Sequence, residues 1–141
     1  MCYRANFHVA LSLSNHKILS PLDCQEPLGM ENGTISDAQI SASSQWSADY
    51  AAIQGRLHFK SIPQYGASWS AHKSDLQQWL QVDLGSQYTQ VTRVATQGRH
   101  DYSQWVTRYK LQYSNDGVNF QYYREQGQNA DKVIQLKLPK R

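Results

Sequence analysis

The run Trp79-Leu80-Gln81-Val82-Asp83-Leu84-Gly85 constrains the fold more than any other stretch. Leu80, Val82 and Leu84 alternate with Gln81 and Asp83, the period of a strand with one face dry and one face wet. Gly85 and Ser86 end it. Two more runs, Trp105–Ser114 and Val118–Tyr123, flank Asn115-Asp116-Gly117. Asp-Gly suits the positive φ angles of tight β-turns, so a hairpin is predicted there. Tyr109, Leu111 and Tyr113 would share one of its faces, as would Val118, Phe120 and Tyr122. Shorter strands are expected within Ile35–Ser43, at Ser68–Ala71 and at Gln90–Thr96. Residues 47–66 are loop-like, broken by Gly55, Pro63 and Gly66, and His72–Gln78 is a polar loop or one helical turn. Short strands at about ten-residue spacing predict an antiparallel sandwich or barrel. Leu80, Val82 and Leu84 would centre its core, with Leu111 and Phe120 against them.

A chain of 141 residues is long enough for one domain with a real core and too short for two. Aromatics at 11% and charged residues at 18% make a globular composition, not a disordered one. No apolar run approaches the roughly 18 residues that span a bilayer. The net charge of +3 comes from the tail. Lys137, Lys140 and Arg141 leave eleven basic residues against eleven acidic ones elsewhere. A surface that tracks phosphates needs clustered positive charge, so nucleic acid is not an expected partner.

Upstream of the first run lies Cys24-Gln25-Glu26-Pro27-Leu28-Gly29-Met30, and downstream Ala95-Thr96-Gln97-Gly98-Arg99-His100. With Trp79–Gly85 and Trp105–Gly117, in this order and spacing, these pieces resemble the discoidin family, the coagulation factor V/VIII type C domain. The resemblance covers Cys24 to about Lys132. It implies an all-β fold, an antiparallel jelly-roll β-sandwich of the galactose-binding type. On this reading residues 1–23 are leader or linker, 24–132 the discoidin-like domain, and 133–141 a divergent basic tail. Residues 1–23 do not make a clear signal peptide: Phe7 to Leu13 is a short apolar stretch broken by His8 and Ser12. Family members carry further strands after this point, including a closing cysteine that pairs with the equivalent of Cys24. The domain is therefore expected to be incomplete, a truncated form or one whose tail replaces a missing strand. Ile134, Leu136 and Leu138 alternate as a strand would. Cys24 lacks its family partner, and pairing with Cys2 is left open.

Trp46, in Ser43-Ser44-Gln45-Trp46-Ser47, resembles the first ligand-facing loop of the discoidin-domain collagen receptors. It stands among polar residues outside any alternation, so it is expected at a loop tip, facing ligand, the alternative being a structural role. Asp49 and Tyr50 share the loop, as ligand contacts or merely solvated residues. Arg99 offers a planar fork of donors to a carboxylate, sulfate or sugar hydroxyl, and Gly98 lets the chain turn before it. The resemblance puts its loop beside the first. The competing role for Arg99 is an ion pair with Asp101. His100 is a candidate contact or a solvated loop histidine. Trp69 is expected in the core, Tyr65 at the rim, and Trp79 and Trp105 in packing. Asn32-Gly33-Thr34 is an N-glycosylation acceptor if the chain is secreted.

Catalysis finds no foothold: there is no His-Glu-x-x-His, Gly-x-Ser-x-Gly, phosphate loop or Cys-x-x-Cys. Neither enzyme activity, a metal nor a cofactor is expected. The resemblance implies an extracellular or secreted adhesion module whose partner is a cell-surface or matrix glycan or a collagen-like protein. The alternatives are an anionic phospholipid surface, or a truncated fragment without independent function. Lipid insertion is least favoured, because the first loop offers one Trp and then Ser47, Ala48 and Asp49.

Overall fold

The computed structural model describes residues 6–12, 27–60, 62, 66, 68–85 and 91–136. Its strands are β1 (Asn6–Ser12), β2 (Ile40–Ala42), β3 (Trp79–Asp83), β4 (Arg108–Ser114), β5 (Gln121–Tyr122) and β6 (Val133–Gln135). The helical content of the described residues is three short 3-10 turns, at Asp37–Gln39, Ala48–Tyr50 and Ala52–Gly55. The domain is thus all-β, as the alternating runs predict, and of the β-sandwich class.

The sheet order is β2-β3-β1-β4-β5, with β6 also on β4. β2 pairs with β3, and β4 with β5 and β6, all antiparallel. β1 joins these two pieces and runs parallel to both β3 and β4. Its register sets Val9 opposite Leu80 and Leu111, and Leu11 opposite Val82 and Tyr113. Phe7, Val9 and Leu11 alternate in sequence, so apolar positions meet apolar positions along both ladders. Part of the segment expected to be leader or linker therefore lies at the sheet centre. At the other end of the chain, Ile134 falls in β6, on the strand signal read in the tail.

Among the described residues the buried core comprises Ile35, Ile40, Ala52, Leu80, Val82 and Tyr109. Met30, Ala42, Trp69, Leu84, Val106, Leu111, Ile134 and Leu136 pack against it partly buried. β3 shows the expected alternation, with Leu80 and Val82 at 6% and 4% exposure. Phe120, expected beside them, is only half-buried and not part of this cluster. Arg56 ties the entry turn to this core: its guanidinium donates to the carbonyls of Met30 and Ile35 and pairs with Asp37.

Three expected strands differ. Ser68–Ala71 and Val91–Thr96 are irregular, and Gln90 lies outside the described residues. Val and Thr favour a pleated surface only where a partner ladder exists, and propensity alone does not supply one. The hairpin's second strand is cut to Gln121–Tyr122. Asp116 is the reason. Its Oδ1 accepts from the amides of Val118 and Asn119 at 2.9 and 2.7 Å, taking them out of the ladder. Val118 is 78% exposed as a result. Gly117 does adopt the positive φ (71°) that the Asp-Gly signal predicts. These bonds, chiefly the Asn119 amide, hold the Asp116 carboxyl well below the usual carboxylate range.

Candidate functional site

The candidate site is built from three loops brought together around one cleft. Buried Gln78, just before β3, anchors the first. Its Oε1 accepts from the hydroxyls of Ser43 and Ser44, and its Nε2 donates to Asp75. Ser43 also receives the Trp79 amide, and the Ser44 carbonyl receives Trp69 Nε1 at 2.9 Å. The polar run Ser43-Ser44 thus satisfies the start of the Trp46 loop from within the fold, and frees its tip to project. Sequence reasoning missed Gln78, because a glutamine in a polar loop carries no pattern.

Trp46 is 64% exposed, with its ring 6.0 Å from that of His72. Its amide donates to the Ser70 carbonyl at 2.7 Å. Tyr50, half-buried, lies over Gly66, where a Cβ would overlap its ring. The Gly66 amide donates to the Asp49 carbonyl and the Ser70 amide to the Tyr50 carbonyl. The loops at 46–50 and 66–70 are therefore laced together through the backbone.

Arg99 comes from the third loop and is 13% exposed. Its Nε and Nη2 grip both Asp101 oxygens, Nη1 donates to Gln104 Oε1 at 3.2 Å, and Nη2 to the Tyr50 hydroxyl at 3.2 Å. The guanidinium also lies 5.0 Å from the centre of the Tyr50 ring and 4.5 Å from that of Tyr102. The ion pair with Asp101 that the sequence allowed is formed.

Between these loops opens a cleft of about 300 Å³. Trp46, Tyr50, Trp69 and Trp105 give it aromatic walls. Residues 68–74, with three serines, His72 and Lys73, line one side, and Gln97, Arg99 and Gln104 the other. Trp105 Nε1 is buried there without a hydrogen-bond partner. Trp46, Tyr50 and Arg99 are thus brought together. Asp49 and His100 are exposed and do not line the cleft. Tyr102, which sequence reasoning passed over, is 64% exposed beside Arg99. Asn32 is exposed in its turn, with Oδ1 accepting the Thr34 amide at 3.0 Å. Tyr65, Cys2 and Cys24 lie outside the described residues. Among the described residues no group of three or more His, Cys, Asp or Glu side chains could hold a metal ion, and no helix is long and apolar enough to cross a membrane.

The Arg99 guanidinium, chiefly through its hydrogen bonds, holds the Asp101 carboxyl below the usual carboxylate range. A depressed native pKa stabilises the fold above the unfolded value of about 3.9, and this is lost as pH falls through the native value. The stability difference between the wild type and Asp101→Asn is therefore expected to be largest near neutrality and to shrink in acid. Urea unfolding of both proteins across that range checks this. A difference independent of pH would mean that folding does not depress the Asp101 carboxyl.

A model of the F5/8 type C domain matches residues 39–140. Lactadherin of Mus musculus is 42% identical over 117 residues, covering 79% of this chain and 25% of lactadherin. Coagulation factor V of Sus scrofa is 37% identical over 118 residues, 79% of this chain and 5% of that protein. Retinoschisin of Mus musculus is 34% identical over 120 residues, 77% of this chain and 52% of retinoschisin. The chain spans about a quarter of lactadherin's length. A family match over residues 39–140, most of the chain's length, and the motifs read in its sequence agree: the chain belongs to the F5/8 type C, or discoidin, domain family.

Proposed function

We propose that this domain is an extracellular binding module, not an enzyme, and that it takes a glycan in the cleft between the Trp46, Ser68–Ser74 and Arg99 loops. The observation that carries the reading is the exposed Trp46 ring standing over a cleft lined by serine, glutamine, histidine and lysine. A sugar ring offers an apolar C–H face and a rim of hydroxyls. An aromatic face with polar groups around it matches both at once. Rigid strands presenting such loops are a common division of labour. Asp49 and His100, outside the cleft, would serve only a ligand extending past its rim.

One observation favours a second reading, an anionic phospholipid surface. The sequence offered a single apolar tip, whereas Tyr102 adds a second exposed aromatic beside Arg99. Paired tips of this kind can enter the headgroup layer. The test is binding to an immobilised glycan panel and to phosphatidylserine vesicles side by side. Saturable binding to a defined glycan, without vesicle binding, is the expected result. Binding to vesicles alone would overturn the glycan reading in favour of the second.

Extracellular placement would also use Asn32, whose acceptor turn is exposed. Secreted from a eukaryotic host behind an added signal peptide, the chain is expected to carry an N-glycan, seen as a mass shift that endoglycosidase removes. Asn32→Gln should abolish the shift. A shift that survives this substitution would place the glycan elsewhere.

A further inference from the structure

We propose that Arg99 is the positioning residue of the cleft: with four of its five donors engaged by the protein, it fixes Tyr50, and through Tyr50 the two loops carrying Trp46 and Ser68–Ser70, for a ligand it need not touch. This goes beyond the glycan reading, and its test needs no ligand.

The bonding of the side chain leaves little to offer a ligand. A guanidinium has five N–H donors. Four of them are committed, two to Asp101, one to Gln104 and one to the Tyr50 hydroxyl. Tyr50 and Tyr102 also lie within cation–π reach of its plane. The backbone fixes the base of the clamp. The Arg99 amide donates to the Gln104 carbonyl at 2.8 Å, and the Gln104 amide to the Tyr102 carbonyl at 2.7 Å. Gly98 makes that closure feasible, since a Cβ there would lie 3.1 Å from both Gln104 O and Trp105 Cβ.

Tyr50 is what makes the clamp matter beyond its own loop. Its hydroxyl holds Arg99, its ring covers the Gly66 backbone, and its carbonyl takes the Ser70 amide. Ser70 in turn holds the Trp46 amide. A displacement of Tyr50 therefore has a short covalent and hydrogen-bonded path to Trp46. Lysine cannot replace arginine here, because a point charge cannot satisfy Asp101, Gln104 and Tyr50 in one plane.

The experiment is residue-resolved amide hydrogen exchange on the full chain, comparing the wild type with Arg99→Lys, Tyr50→Phe and the double variant. In Arg99→Lys, the amides of Trp46, Gly66 and Ser70 are expected to lose about tenfold or more in protection, while β3 and β4 amides hold within about twofold. Tyr50→Phe should act in the same direction, and the double variant should exceed Arg99→Lys by little, since both cut one path. Protection at 46–70 unchanged in Arg99→Lys would overturn the proposal, leaving Arg99 as a charge that lysine supplies equally well. Loss confined to residues 99–104 would reduce it to a brace of its own loop. A uniform loss across the strands would make it a residue of the fold, not of the cleft.

Discussion

Leu80→Ala is expected to lower the stability of this domain by about 2–5 kcal/mol, the range for a large-to-small change in a packed core. Leu80 is 6% exposed in β3, the strand that connects β2 to β1 in the sheet. Its methyl groups also press on the turn that precedes Arg56. A Cβ on Gly55 would lie 3.0 Å from Leu80 Cδ2 and 3.5 Å from Trp69 Cβ. Removing the isobutyl group thus opens a void against Gly55, which has no side chain to collapse into it. β3 itself is held by ladders to β2 on one side and β1 on the other, so relaxation should be small and the loss should fall high in the range. Val82→Ala, one pleat further on, removes less volume, with an expected loss of about 1–3 kcal/mol. Urea denaturation followed by circular dichroism measures both, with the slope m unchanged if the native state stays compact. Losses within about 0.5 kcal/mol, the range of surface positions, would put β3 at the surface.

The strands that alternate cleanly were legible, because burial on one face leaves a period-two signature whatever lies across the sheet. β3 is of this kind, and β4 and the tail strand β6 carry the same apolar-polar alternation in sequence. The family motifs were legible for a different reason: four of them in order are improbable by chance. What stayed hidden depends on partners far away in sequence. β1 carries an alternating Phe7, Val9 and Leu11, but its strand character follows from a slot between β3 and β4, which are themselves distant in the chain. Val91–Thr96 has the composition of a strand and forms none. Asp116 capturing two amides decides where β5 begins, and side-chain capture of this kind is invisible to hydrophobic periodicity.

The candidate site divides in the same way. Trp46 stood out because a tryptophan among serines has no core to join. Arg99 stood out as well, but sequence left its ion pair with Asp101 and its exposure to ligand as equal readings. The geometry fills four of its five donors from inside the protein. Tyr102 and Gln78 carried no signal at all, since one gains its meaning from the Arg99 plane and the other from two serine hydroxyls 34 and 35 residues away.

Trp46→Ala is expected to weaken binding of the strongest glycan on the panel by roughly 10–100-fold, the effect of losing a central aromatic contact worth about 2 kcal/mol. Stability should change by no more than about 0.5 kcal/mol, as for an exposed position. The two effects separate because of how the residue is built in. Its ring is 64% exposed, whereas its backbone amide is bonded to Ser70 O at 2.7 Å. Alanine keeps that amide, so the loop retains its path and only the platform is lost. Titration calorimetry or surface plasmon resonance reads the affinity, and thermal unfolding reads the stability. Tyr102→Ala is the companion: because Tyr102 does not line the cleft, a glycan held there should lose far less affinity than in Trp46→Ala. If both variants instead release the protein from phosphatidylserine vesicles, the two rings act as paired membrane tips. Full glycan affinity in Trp46→Ala would place the binding site away from this cleft.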